Sequence, residues 1–367
     1  MRTTFISAAA LAAILPTLAA PTANVPISKH ADPVNKLKDG VSTDAHVNNL
    51  IAAIAAEGKV GYKYGAAFHG YSATLQGKDL DFIRQSSDIE YIVEDGIMTI
   101  DYEEGDEAAD FVARDIPAVE GLEKRANGAG VDVYGIDAVT LVDVLAGELP
   151  SVATLTRTVM ATEPANTAGT AVGASYGVAT SANIIAVKVL SDSGSGTNSD
   201  VIAGINWAAT QARSSGRPSI ANLSLGDGAS TAVDSAVTNT ISGGLHFAIA
   251  AGNSNVDAGS TSPARVAAAN TVVGAVDSSN RKASFSNYGP VLDVWAPGVN
   301  TLSAWIGGTT RTDAISGTLM ASPRVAGYIA VRIGNSGRTT AAVSSALEAG
   351  ARAVVTGAPS GTTNLLA

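Results

Sequence analysis

The stretch Ile315-Ser316-Gly317-Thr318-Leu319-Met320-Ala321-Ser322-Pro323-Arg324-Val325-Ala326-Gly327 is built almost wholly of small and apolar residues. Three hydroxyls, Ser316, Thr318 and Ser322, flank Leu319, whose own side chain carries no oxygen able to attack a carbonyl. N-terminal to this stretch, Val131 to Ile136, Ile184 to Val189, Ile220 to Leu225, Leu245 to Ala250 and Thr271 to Val276 are short β-rich runs bounded by Gly, Ser or Asn. Between them, Val201 to Arg213 and Val233 to Ile241 carry helical periodicity. Strands alternating with helices imply an α/β fold, a mostly parallel sheet with helices on both faces. Sites in such sheets lie at the carboxyl ends of strands.

The chain has 367 residues, 46% of them hydrophobic, with 38 glycines, enough to bury a full core in one large domain beside a smaller one. Arg2, the apolar run Phe5 to Leu18 and the small residues Ala19 to Ala23 have the layout of a secretory signal peptide, assigned to residues 1–20. A spanning helix needs about 20 apolar residues, and Pro16 interrupts this run, so a secreted, extracellular protein without a membrane partner is expected. With 0 cysteines, disulfide staples, thiol catalysis and thiolate metal sites are excluded. The net charge of -10 is concentrated before Arg125, which argues against a nucleic-acid partner. A monomer is expected.

Residues 24–102 read as a small α+β unit. Val47, Leu50, Ile51 and Ile54 recur at helical spacing, Leu80, Ile83 and Arg84 suggest a second helix, and Tyr62 to Tyr64, Tyr71 to Ala73 and Tyr91 to Val93 look extended. An acidic stretch, Glu103, Glu104, Asp106, Glu107 and Asp110, opens a region 103–127 read as a solvated linker. It contains Lys124-Arg125, a basic pair of the kind that processing proteases cut. The main unit follows as residues 128–367.

Four words of the main unit resemble the subtilisin-like serine proteases (peptidase S8), in particular their proteinase K-like fungal branch. They are Val131-Asp132-Val133-Tyr134-Gly135-Ile136-Asp137, Ile184 to Leu190 with Ser191-Asp192-Ser193-Gly194-Ser195-Gly196, Ala250-Ala251-Gly252-Asn253, and Ser284-Phe285-Ser286-Asn287-Tyr288-Gly289 with Asp293 and Pro297-Gly298. The stretch at 315–327 is similar to the family's nucleophile motif, in which the serine starts a buried helix. Ahead of it, residues 24–102 resemble an inhibitor-type (I9) propeptide, through Lys38-Asp39-Gly40-Val41-Ser42, Phe68-His69-Gly70-Tyr71-Ser72-Ala73 and Tyr91-Ile92-Val93-Glu94-Asp95-Gly96.

The resemblance implies a serine–histidine–aspartate triad that this chain does not complete. Asp137 matches the triad aspartate. The histidine word is replaced by Ala168-Gly169-Thr170-Ala171-Val172-Gly173-Ala174, so Ala168 stands in for the general base, and Leu319 stands in for the nucleophile. His30, His46 and His69 fall in the pro-segment. His246 begins a strand ending near Asn253, and seven strand residues span about 23 Å, which places it away from the cleft. Asn253 matches the oxyanion donor, and Ser224, Leu225 and Gly226 match the segment whose edge backbone pairs with an extended peptide. Asp293 matches a calcium-ligating position; no cofactor is required, and calcium is possible there. Ser316, Thr318 and Ser322 point away from the position Leu319 takes, since neighbours on a helix are about 100° apart. The expectation is a catalytically inactive pseudoprotease with its own pro-segment docked on the cleft, able to hold an extended peptide or protein ligand. Its alternative is an active serine-type endopeptidase with a non-standard nucleophile.

Overall fold

A computed structural model describes residues 33–54, 58–100, 102–104, 111–112, 128–137, 153–157, 166–191, 193–266, 271–304, 312–336 and 340–367. The signal segment, the Lys124-Arg125 pair and the residues directly after Asp137 lie outside the described residues.

The N-terminal unit runs β1 (Pro33–Leu37), α1 (Thr43–Ala53), β2 (Lys59–Tyr64), β3 (Gly70–Thr74), α2 (Gly77–Arg84) and β4 (Ile89–Glu94), with its sheet in the order β2-β3-β1-β4. Ser42 starts α1 by accepting the Ala45 N–H at 3.3 Å, and Val47 and Leu50 turn inward to meet Leu37, Tyr71, Ile83 and Ile92. Strand β1 was not foreseen; its Pro33, Asn35 and Lys36 hide it, yet it lies between β3 and β4 as a central strand.

Three short strands follow: β5 (Ile97–Thr99), β6 (Glu103–Glu104) and β7 (Phe111–Val112). Two of them fall within the stretch expected to be solvated linker. They differ from that expectation because the main unit offers unpaired strand edges that satisfy their backbone groups.

The main unit runs β8 (Asp132–Asp137), β9 (Ala153–Arg157), α3 (Asn166–Val172), β10 (Asn183–Lys188), β11 (Ser195–Thr197), α4 (Asn198–Ser215), β12 (Ser219–Leu223), β13 (Asp227–Gly228), α5 (Thr231–Ser242), β14 (His246–Ala250), β15 (Thr261–Ser262), β16 (Thr271–Val276), β17 (Val294–Pro297), β18 (Thr301–Ala304), β19 (Thr312–Ser316), α6 (Thr318–Ser336), α7 (Thr340–Gly350), β20 (Arg352–Ala353) and β21 (Leu365–Leu366). Nine strands form the central sheet in the order β20-β21-β17-β16-β14-β12-β8-β10-β9. All its pairings are parallel except those of β9 and β20 at the edges. Both faces are covered, so the strands are apolar throughout. Val133 of β8 faces the core that α3, α6 and α7 close, whereas Tyr134 and Ile136 face the core closed by α4 and α5. The mostly parallel α/β fold read from the sequence is the one observed.

Val34, Tyr64, Ala67, Phe68 and Met98 of the N-terminal unit belong to the same core as α4 and α5. Polar contacts gather along α4. Asn206 Oδ1 accepts the N–H groups of Gly65, Ala66 and Ala67 at 2.9, 2.6 and 3.0 Å. At the helix start, Thr197 and Asp200 form a capping box, the Ser199 N–H donates to Asp95 Oδ1 at 2.7 Å, and the Tyr62 hydroxyl donates to Asp200 Oδ1 at 2.8 Å.

Burial of Asp95 pushes its carboxyl up to about 6, against hydrogen bonds from Ser199 that pull it down, with Asp200 adding to the rise. Released from this interface, the acid returns to the ordinary value near 4. The docked state therefore binds more protons between about pH 4 and pH 6, so docking is favoured on the acid side and weakens as pH rises through that window. Urea denaturation is expected to show wild type losing on the order of 2 kcal/mol relative to Asp95→Asn between pH 4 and pH 6.5. A difference that stays flat over that window would rule out the linkage.

Candidate functional site

Helix α6 carries position 319 in its first turn and contains Pro323. Proline has no N–H, so the Leu319 carbonyl loses its partner one turn on. Ser224 replaces it, its hydroxyl donating to Leu319 O at 3.1 Å. The Ser224 hydroxyl accepts in turn from Asn222 Nδ2 at 2.7 Å, and Asn222 Oδ1 accepts from the Ser322 hydroxyl at 2.6 Å. Asn253 fixes the helix start from the other side. Its Oδ1 accepts both the Thr318 N–H at 2.9 Å and the Thr318 hydroxyl at 2.8 Å, and Thr318 Oγ1 accepts the Gly252 N–H at 3.1 Å. Buried Asn287 holds the loop that presents Asn253, accepting from Ser254 and Val256 N–H at 3.1 and 3.0 Å and donating to Ala251 O at 2.8 Å.

With the Asn253 oxygen committed to Thr318, its amide nitrogen lies near Gly317. A Cβ placed on Gly317 would stand 3.2 Å from Asn253 Nδ2 and 3.1 Å from Leu319 Cγ. The candidate oxyanion donor and the candidate nucleophile position are thus neighbours. Leu319 packs with Ile315, Met320 and the partly buried Ile100. The flanking hydroxyls are buried and bonded: Thr318 and Ser322 as above, and Ser316 Oγ accepting the Asn300 N–H at 3.0 Å.

Asp137 ends β8, buried, with Lys188 of β10 as its register partner. Lys188 was missed from sequence, where it reads as one more residue of a strand. Ala168 lies in α3, which packs on α6 and touches β8, so the elements that carry Asp137, Ala168 and Leu319 are in mutual contact. His246 opens β14 at the end opposite Asn253 and is buried. In the N-terminal unit, His46 lies between Asp88 at 2.9 Å and the Tyr71 hydroxyl at 3.2 Å, and His69 meets Val41 O at 2.8 Å.

Ser224, Leu225 and Gly226 line a cavity of about 300 Å³ together with Asn253, Thr318 and Leu319, and Thr99 and Ile100 close another side. The Gly226 N–H donates to Thr99 O at 3.2 Å, and the Ile100 N–H donates to Gly194 O at 2.9 Å. Strand β5 pairs antiparallel with β11, Ser195 opposite Thr99 and Thr197 opposite Ile97. An extended segment therefore lies between two backbone edges, of which sequence reading identified one. The second was signalled by Ser193-Gly194-Ser195-Gly196, whose glycines allow a strand to approach closely: a Cβ on Gly194 would come within 2.7 Å of Ile100 Cγ1.

Asp293 Oδ2 accepts the Val272 N–H at 2.7 Å, and burial pushes its carboxyl up to about 7, with Glu348 adding to the rise. Calcium takes six to eight oxygens. Among the described residues no group of three or more His, Asp or Glu side chains converges on a place that could hold a metal ion. Arg324 is fully buried in α6; desolvation lowers its pKa, while Tyr328 one turn on opposes that fall through charge and a hydrogen bond.

The subtilase profile (peptidase S8) matches residues 158–359, and the peptidase inhibitor I9 profile matches residues 22–101. Proteinase R of Parengyodontium album is 39% identical over 321 residues, covering 83% of this chain and 80% of its own. Alkaline serine protease ver112 of Corniculantispora psalliotae is 36% identical with 97% of both chains covered, and the cuticle-degrading protease of Metarhizium anisopliae is 34% identical with 90% and 88% covered. The crystal structure of a cold adapted subtilisin-like serine proteinase superposes on 66% of this chain and 90% of its own, with a TM-score of 0.56 at 38% identity. With its parallel sheet, its α6 start and an I9 unit ahead of them, the chain belongs to the subtilase family of proteinase K-like fungal proteases.

Proposed function

We propose that this chain is a secreted subtilase that holds an extended peptide without hydrolysing it. One observation carries the reading: the side chain beside the Asn253 amide is the apolar Leu319, and the hydroxyls around it are all engaged elsewhere. Ala168 adds an independent loss, since an alanine can take no proton from a nucleophile. Loss of nucleophile or base from such a triad costs about 10⁶-fold in turnover, whereas an oxyanion donor alone supplies about 10²- to 10³-fold. The backbone edges at Gly226 and at β11 need neither group, so peptide pairing survives the loss of chemistry. Among the described residues no helix is long and apolar enough to cross a membrane. Secretion rests on the leader at residues 1–20, and the reading requires neither calcium nor a second subunit.

Casein and chromogenic peptides are expected to give no turnover above buffer, and a serine-reactive phosphonate is expected to add no mass. Phosphonate-sensitive turnover would overturn the reading in favour of an active endopeptidase. Restoring Ala168→His and Leu319→Ser together is expected to recover hydrolysis at least about 10³-fold above wild type, because the Asn253 donor and the backbone edges are in place. The wild-type chain, unable to cut itself, is expected to keep residues 24–125 covalently attached when made in a host lacking basic-pair proteases. An intact mass matching a start at Ala126 in that host would count against it.

A further inference from the structure

The cavity that adjoins Leu319 has a buried end and an exposed end. Leu225, Ala250 and Ala264 line it from within the core, whereas Asp227, Gly228 and Ser254 line it from the surface. Among the described residues around it, Asp227 alone carries a charge. Backbone pairing fixes its place: β13 runs antiparallel to β15, with Asp227 opposite Ser262 and Gly228 opposite Thr261, and both partners also line the cavity. One residue earlier the Gly226 N–H donates to Thr99 O, so the carboxylate follows directly on the edge that pairs with extended backbone. Asp227 Oδ1 accepts the Gly228 N–H at 2.7 Å, a bond that neutralises no charge. Arg265, which follows Ala264 of the lining, pairs with Asp234 instead, and among the described residues Asp227 has no ion-pair partner.

From this we infer that Asp227 sets the specificity of the proposed peptide-holding site, whose cavity selects an extended peptide carrying a lysine or arginine at the residue that enters it. The inference rests on the peptide-holding reading and names the ligand class of that same site. A basic side chain lays its methylene stem along apolar surface and keeps its charged end in water. Here the apolar walls are Leu225, Ala250 and Ala264, and the wet end is where Asp227 stands. An uncharged side chain of the same length gains the walls but not the ion pair. A glutamate meets a like charge. Specificity is the difference between these states, and a pair that stays in contact with water discriminates by about threefold rather than by orders of magnitude.

Three labelled peptides test this, each an alanine chain with blocked ends and with lysine, norleucine or glutamate at its centre. Fluorescence anisotropy on the full-length chain at low salt is expected to show the lysine peptide bound about threefold more tightly than the norleucine peptide, and the glutamate peptide about threefold more weakly. At about 1 M salt the three affinities are expected to converge. Whatever a peptide must displace to enter is the same for all three, so the ratios report the cavity. Asp227→Asn keeps an acceptor for the Gly228 N–H and is expected to bring the ratio of lysine to norleucine affinity to about one, while Asp227→Lys is expected to favour the glutamate peptide. The single substitution separates Asp227 from the general pull of a chain of net charge -10. Where a variant fails to fold, the salt series on wild type decides. Equal binding of the three peptides by wild type, a lysine preference that survives high salt, or one that survives Asp227→Asn would each overturn the inference and leave the peptide-holding reading standing. Failure to bind any of the three would overturn both.

Discussion

The start of helix α6 is the constraint on which the site depends. The helix is buried against β12, β14 and β16 of the central sheet, and it carries a proline in its second turn. A buried carbonyl without a donor costs on the order of 1–3 kcal/mol, so the Leu319 carbonyl must find one, and Ser224 supplies it. Asn253 and Thr318 then fix the helix end. None of these bonds involves the side chain at 319 or the residue at 168. The frame of the site is held by backbone satisfaction and capping, so it does not depend on which side chains stand at 168 and 319.

This separation explains what was legible in the sequence. The parallel sheet could be read because strands buried on both faces must be apolar along their length, and Val131 to Ile136 or Thr271 to Val276 leave little other reading. Asn253 and Ser224–Gly226 could be singled out because they stand in short words, and the structure brings them to one cavity. Strand β1 could not, because Asn35 and Lys36 are polar residues buried through tertiary pairing. Lys188 escaped for a related reason: its neighbour Asp137 is fixed by register across strands far apart in sequence. The acidic stretch misled because charge density speaks for solvation of side chains, while the backbone of Glu103 and Glu104 was free to pair with β19.

The N-terminal unit is joined to the main unit as one core rather than tethered beside it. Tyr64, Phe68 and Met98 are within 3% of full burial against the α4–α5 layer, and Asn206 gathers three backbone donors from the loop after β2. Asp95 is a costly element of this interface. Its carboxylate serves the start of α4, where a negative charge is favoured, but it does so desolvated and close to Asp200. The joint is therefore apolar in its strength and ionic in its pH sensitivity.

A protease and a holder make opposite demands on the same groove. A catalyst gains only from interactions that strengthen toward the transition state, and uniform tight binding adds nothing to its turnover. A holder has no such limit, since every contact with the bound strand lengthens its stay. On the proposed non-hydrolytic reading leucine at 319 fits the second demand: it carries no attacking oxygen and belongs to the apolar cluster against which Ile100 packs, where burying a whole side chain of this kind is worth about 1.5–3 kcal/mol. Strand β5, paired with β11 and bridged through Thr99 to Gly226, makes contacts of this second kind along the groove.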